Sequence, residues 1–147
     1  MLRVARQDDF EQVMRLYRQL NPDDPEIDDR SDHTSFDAIL ANPCLYIVVL
    51  EERGRIIATT YLNIVPNLSR SAAPYAVIEN VVVESSLRGT GVGKRIMSGT
   101  LDLAWKAGCY KAMLMTGSKR PSTLGFYRAC GFDQDAKTAF LARPPSR

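Results

Sequence analysis

The spacing of apolar residues changes several times along the chain, and each change marks an element boundary. Residues 2–6 read as a short first strand. Asp8 then reads as a helix N-cap, and Glu11, three positions on, completes a capping box. Phe10, Val13, Met14 and Tyr17 recur at i, i+3, i+4, i+7, the stripe of an amphipathic helix, and Asn21-Pro22 ends it. A second short helix is predicted over 34–41, with Phe36, Ile39 and Leu40 on one face. Residues 44–50 form an unbroken apolar, β-branched run, the mark of a strand buried on both faces. Glu51-Glu52-Arg53-Gly54 reads as a turn into a strand over 55–65, which makes a hairpin.

Further on, residues 66–74 read as a Ser- and Pro-containing loop and 75–84 as a third strong strand. A glycine-rich stretch at 88–93 leads into a helix over 91–107, which Gly108 ends. Residues 109–115 are a predicted strand. Pro121 opens a short helix through Cys130, Gly131 closes it, and 137–143 reads as a last strand. The predicted order is β-α-α-β-β-β-α-β-α-β. A hairpin combined with a βαβ crossover implies a mixed, twisted sheet with helices on both faces, built as one domain over residues 1–147.

Composition narrows the class without choosing a function. Apolar residues make up 45% of the chain and charged residues 24%, enough apolar surface for a globular core. A net charge of +2 is too small to argue for nucleic acid or a membrane surface, and neither is expected as a partner. The dense charge run is acidic, at 22–29, and reads as a solvated loop or as a lip attracting a cationic substrate. Cys44, Cys109 and Cys130 show no C-x-x-C pair, so they read as reduced thiols in a cytoplasmic protein. The single histidine, His33, cannot build a multi-histidine metal site and reads as solvated or capping, and no metal is expected. No signal peptide and no membrane span are expected.

The chemistry concentrates between residues 79 and 94. A strand enters a loop with three glycines, and a helix leaves it. Amides at a helix start lack intrahelical acceptors and carry partial positive charge. Glycines let phosphates approach that backbone closely. The segment therefore predicts a phosphate or pyrophosphate site, with Arg88 and Lys94 adding charge. Two familiar loops do not fit. A Walker A loop would need glycine at Arg88 and Ser or Thr at Arg95, and a dinucleotide fingerprint would need glycine at Lys94.

Arg88-x-x-Gly91-x-Gly93 after an apolar strand resembles the acetyl-CoA pyrophosphate loop of the GNAT superfamily of N-acetyltransferases. Phe126-Tyr127-Arg128-Ala129-Cys130-Gly131-Phe132 is similar to that family's F-Y-x-x-x-G-F segment, one βα step later. The order of elements also resembles the family's, over essentially the whole chain. The resemblance implies an α/β (α+β) fold whose sheet splays beside the third strong strand. It implies that Val81, Val82 and Val83 pair with the pantetheine arm of acetyl-CoA. It implies too that Arg88, Gly89, Thr90, Gly91, Val92, Gly93 and Lys94 cradle the pyrophosphate, and that Tyr127 is a general acid near the sulfur. A homodimer is common for the fold. Many members carry an asparagine seven residues before the tyrosine; Arg120 stands there, which puts carry-over into the 116–121 loop in doubt.

The implied reaction is direct attack of a primary amine on the thioester. An alkyl amine with a pKa near ~10 must lose a proton first, and a thiolate with a pKa near ~8.5 leaves. Glu79 interrupts an apolar strand, where a carboxylate is costly unless wet or partnered, and is the candidate base. Simple alternation places it on the face of Val81 and Val83. A strand amide such as that of Val81 would stabilise the charge gained by the thioester oxygen. Met97 and Trp105 read as packing residues. Two other readings stay open: the same fold with a longer acyl-CoA, and a non-catalytic coenzyme A-binding sensor or partner subunit. The acceptor is a small-molecule or peptide amine, possibly a cationic one in view of the acidic run.

Overall fold

The computed structural model describes residues 1–146. The predicted hairpin forms from β2 (Leu45–Glu52) and β3 (Arg55–Val65). Its two-residue turn places Arg53 at φ 51° and Gly54 at φ 76°, the paired left-handed conformation that matches strand twist. β1 (Leu2–Val4) pairs antiparallel with β2, and β4 (Tyr75–Val83) pairs antiparallel with β3. β5 is short, Ala112–Met113, and lies parallel to β4. The order β1-β2-β3-β4-β5 makes the mixed sheet that the pattern predicts.

The chain divides into two compact units, Met1–Leu114 and the remainder from Met115. In the first, α1 (Phe10–Leu20) and α2 (Ser31–Ala41) cover one face of the sheet. Phe10, Val13, Leu16 and Phe36 pack there against Ile47, Val49, Ile56 and Val82. The other face takes α3 (Val92–Lys106), whose Val92 and Ile96 meet Leu50, Ile57 and Ala58. Thr60 of β3 and Thr100 of α3 join hydroxyls at 2.7 Å beneath that helix, so both buried polar groups are satisfied. Residues 47–50 of β2 are buried throughout because the layers lie on both sides.

The second unit contains α4 (Pro121–Ala129). Pro121 starts it, and Gly131, at φ 96°, follows its end. The strand expected over 137–143 does not form: residues 137–146 have no regular structure, and Phe140 is 91% exposed. An apolar run becomes a strand only where a sheet edge accepts its backbone bonds.

Other expectations need correction. The carboxylate at the start of α1 is Asp9 rather than Asp8: it accepts from the Arg6 amide at 2.7 Å and from Arg3 at 2.6 and 2.9 Å. The His33 ring is half-buried and lies 3.8 Å from that of Phe10, so it packs instead of capping. Met97 is buried as expected, but Trp105 is 48% exposed. The 66–74 loop contains a left-handed turn, with Arg70, Ser71 and Ala72 all at positive φ. Among the described residues no helix is long and apolar enough to cross a membrane.

Candidate functional site

β4 departs from regular pairing on both edges. Toward β5, pairing covers only Ala76↔Ala112 and Val77↔Met113. Among the described residues, β4 beyond Val77 has a sheet partner only on its β3 side, so the edge from Ile78 to Val83 has no second strand paired to it. Toward β3, the register passes from Tyr61↔Glu79 to Thr59↔Val82. Thr60 alone therefore faces Asn80 and Val81, a β-bulge, and Asn80 sits in the left-handed region at φ 49°.

The bulge changes which side chains share a face. Glu79 pairs with Tyr61, which packs on the α1 side, and Val82 lies in the same core layer. Val83 packs on the opposite, α3 side. The expectation that Glu79 shares a face with Val83 fails, because one inserted residue inverts the alternation beyond it. Glu79 itself is exposed.

Two phenols lie on the α1 side of this stretch of the sheet. Tyr17 of α1 and Tyr61 of β3 both pack against the α1-side core. Burial pushes the Tyr17 phenol up to about 12. Burial also raises the Tyr61 phenol. Neither tyrosine was singled out from sequence as functional, since Tyr17 reads as one more member of the helix stripe. The signal for Asn80 was Glu79-Asn80 interrupting an apolar strand, and asparagine is among the few residues that tolerate positive φ.

After Val83 the chain makes a single 3-10 turn, Ser85–Leu87, and reaches the glycines. Gly89 at φ 77° and Gly91 at φ 90° take conformations that other residues avoid. Gly91 is the N-cap of α3, with no side-chain cap. The first helical bond runs from the Arg95 amide to the Gly91 carbonyl at 3.1 Å. The amides of Val92, Gly93 and Lys94 precede it and have no helical acceptor. The Val92 side chain is buried and anchors the turn, while Arg88 and Lys94 are exposed. Thr90 is spent on the loop itself, donating to the Leu87 carbonyl. An open strand edge running into bare helix amides fits an amide-bearing arm that ends in a pyrophosphate.

The loop's entrance is pinned by Glu84, a residue the sequence did not mark. Its buried carboxylate accepts from Arg15, from Gln19 at 2.8 Å and from Arg55 at 3.0 Å. Burial alone would raise this carboxyl, but the three donors win and hold it at about 2.

The remaining predicted residue, Tyr127, stands on α4 in the second unit. Its ring lies 5.1 Å from Phe126 and 6.2 Å from Phe132. Burial raises the phenol above its ordinary value, with a smaller contribution from Cys130, so it stays protonated at neutral pH. Arg120, at the family's asparagine position, is the exposed N-cap of α4 and makes no side-chain cap. Its amide donates to Ser118 Oγ at 3.3 Å, and Ser118 reaches Thr123 at 3.1 Å. The local hydroxyls thus organise the start of this helix.

Residues 10–132 match the model of the acetyltransferase (GNAT) family. The chain is 44% identical to a candidate acetyltransferase from Agrobacterium tumefaciens, covering 98% of this chain and 99% of that one, with a TM-score of 0.92. It is 26% identical to the glucosamine-6-phosphate N-acetyltransferase of Arabidopsis thaliana, over 98% and 97% of the two chains, with a TM-score of 0.83. It is 37% identical over 79 residues to the glucosamine 6-phosphate N-acetyltransferase of Trypanosoma brucei brucei. That match takes in 54% of this chain and about half, 52%, of the trypanosomal protein.

Proposed function

Because the chain belongs to the GNAT acetyltransferase family, we propose that it moves an acetyl group from acetyl-CoA to a primary amine by direct attack. The observation that carries this reading is the continuity of the open β4 edge with the uncapped start of α3. Val81, Val82 and Val83 offer extended backbone to the pantetheine amides. Arg88, Gly89, Thr90, Gly91, Val92, Gly93 and Lys94 hold the pyrophosphate through backbone amides and two cationic side chains. The family match runs across the boundary at Met115, which supports treating residues 1–147 as one domain.

Each remaining role follows from the charge that must move. The acceptor arrives as an ammonium ion and must lose a proton, and Glu79, exposed at the bulge, takes it directly or through water. The thioester oxygen gains negative charge as the amine adds, and the Val81 amide is the donor assigned to it. The leaving thiolate needs a proton, and Tyr127 holds one because burial raises its phenol. No metal enters this scheme.

The relatives named for glucosamine 6-phosphate make that amino sugar the first acceptor to test. The exposed acidic loop at 22–29 favours a second class, polycationic amines. We place the protein in the cytoplasm, with reduced thiols. A thermal-shift titration with acetyl-CoA, coenzyme A and ATP tests the cofactor site. At 100 times Kd, a ligand adds about 2.7 kcal/mol of stability. Shifts with both coenzyme A compounds but not with ATP are expected, and no shift with either would overturn the reading. Thiol release is then followed with glucosamine 6-phosphate, kanamycin, spermidine and a lysine peptide. Sedimentation analysis decides between a monomer and the family's homodimer.

A further inference from the structure

Gln12, Arg15 and Gln19 recur at i, i+3 and i+7 on α1, a polar stripe beside the apolar one. The stripe serves two places in the sheet. Gln12 accepts from the Ile56 amide at 2.8 Å and Arg15 donates to the Ile56 carbonyl at 2.7 Å, so both fasten the start of β3. Arg15 also reaches the Glu84 carboxylate. Gln19 serves only the end of β4, where its amide donates to that carboxylate and its carbonyl takes the Ser85 amide. A carboxylate only accepts and a backbone N–H only donates, and one neutral carboxamide answers both. A glutamate at position 19 would face Glu84 with a like charge, and an arginine would leave the Ser85 amide unbound.

Ser85 is where the chain leaves the sheet. The Glu84 amide still bonds the Ile57 carbonyl, at 2.8 Å. From Ser85 to Gly91 no side chain is buried, and the next anchor is Val92, in the core on the α3 side. The segment thus hangs between a polar anchor on one face of the sheet and an apolar anchor on the other. We propose that Gln19 is a positioning residue for the cofactor site: by holding Glu84 and Ser85 together it fixes the course of the Arg88–Gly91 loop before the pyrophosphate arrives. A loop ordered in advance loses less freedom on binding, so the benefit falls on affinity. The inference deepens the acetyl-transfer reading and rests on it for the identity of the ligand.

The test uses labelled full-length protein with Gln19→Met and, as a matched control, Gln12→Met. Both glutamines are half-buried on the same helix, and each change removes one carboxamide at nearly constant side-chain length. Without ligand, hydrogen exchange at the Ser85 and Leu87 amides quickens in Gln19→Met and keeps its wild-type rate in Gln12→Met. Wild-type exchange at Ser85 in Gln19→Met overturns the proposal. Calorimetric titration with acetyl-CoA, well below the Tm of either variant, gives a Kd about fivefold higher in Gln19→Met and unchanged in Gln12→Met. Equal weakening in the two variants reduces the effect to general loosening of α1 and also overturns it. With the panel amine that the wild type acetylates fastest, KM for acetyl-CoA rises in Gln19→Met while kcat holds; a fall in kcat at constant KM counts against positioning of the cofactor loop. Gln19→Ala, which removes the carboxamide without adding bulk, reproduces both the faster exchange and the weaker binding, and a wild-type result there is equally fatal. If the wild type binds no acetyl-CoA, the acetyl-transfer reading fails, and the ligand-free exchange rates still decide whether Gln19 holds the loop.

Discussion

The Gln19 side chain donates to the Glu84 carboxylate at 2.8 Å, and its carbonyl accepts from the next amide, Ser85, at 3.0 Å. One glutamine on α1 thus fastens the end of β4 to the first residue of the turn that leads to the glycines. Arg15 and Arg55 complete the cage around the same carboxylate. Glu84→Gln keeps the shape but removes the charge that two guanidinium groups face. A loss of about 2 kcal/mol is expected, seen as a lower urea midpoint at unchanged m-value and a Tm fall of roughly 6 °C. A variant as stable as the wild type would show the cage to be dispensable.

The same carboxyl makes stability depend on acid. Its ordinary value is 4.5 and the fold holds it at about 2, so between these values the unfolded chain binds a proton that the folded chain does not. Its contribution is therefore complete above about 4.5 and is lost as pH falls toward about 2. Asp9, lowered chiefly by its Arg3 hydrogen bonds, acts in the same direction. Unfolding free energy measured from pH 6 to pH 2 should fall with acid, and Glu84→Gln should flatten that slope. An equal slope in both proteins would count against the assignment.

Gly91 and Gly108 give a matched comparison. Both have positive φ, 90° and 81°, and a Cβ at either would meet nothing within 4 Å. Gly91→Val and Gly108→Val should therefore each cost on the order of 1–2 kcal/mol through backbone strain alone. Only Gly91→Val should also abolish the acetyl-CoA thermal shift. Equal ligand shifts in the two variants would remove Gly91 from the cofactor site.

Tyr127→Phe and Glu79→Gln separate acid from base. Each should lower kcat by about 10²-fold and leave KM for acetyl-CoA unchanged. Because burial keeps the phenol protonated past its ordinary 10.0, wild-type kcat should decline only above that pH, and Tyr127→Phe should lose the alkaline limb. A variant whose KM rises while kcat holds would point to binding in place of proton transfer.

The acidic loop offers a specificity test. Asp29 is held below its ordinary value by the backbone amide of Ser31, at 3.0 Å from its carboxylate, so it is charged at neutral pH. Asp28→Asn with Asp29→Asn should raise KM for spermidine severalfold at low salt, with the difference shrinking at high salt. An unchanged KM at low salt would end the case for electrostatic recruitment by this loop.

The sequence alone determined what depends on neighbours along the chain. The stripe from Phe10 to Tyr17, the Arg53-Gly54 turn, the uncapped glycine start of α3 and the Pro121 and Gly131 ends of α4 follow from local periodicity and backbone preference. Tertiary structure alone decided which distant groups meet. It placed one extra residue at Asn80 and so moved Glu79 and Val83 to opposite faces. It ended β5 pairing at Val77, and it brought Arg15 and Arg55 to Glu84 from positions 69 and 29 residues away. It also left 137–143 outside any strand. The reason is physical: alternation reports that a strand has two faces, while register and partners are settled by packing between segments whose order in sequence carries no distance.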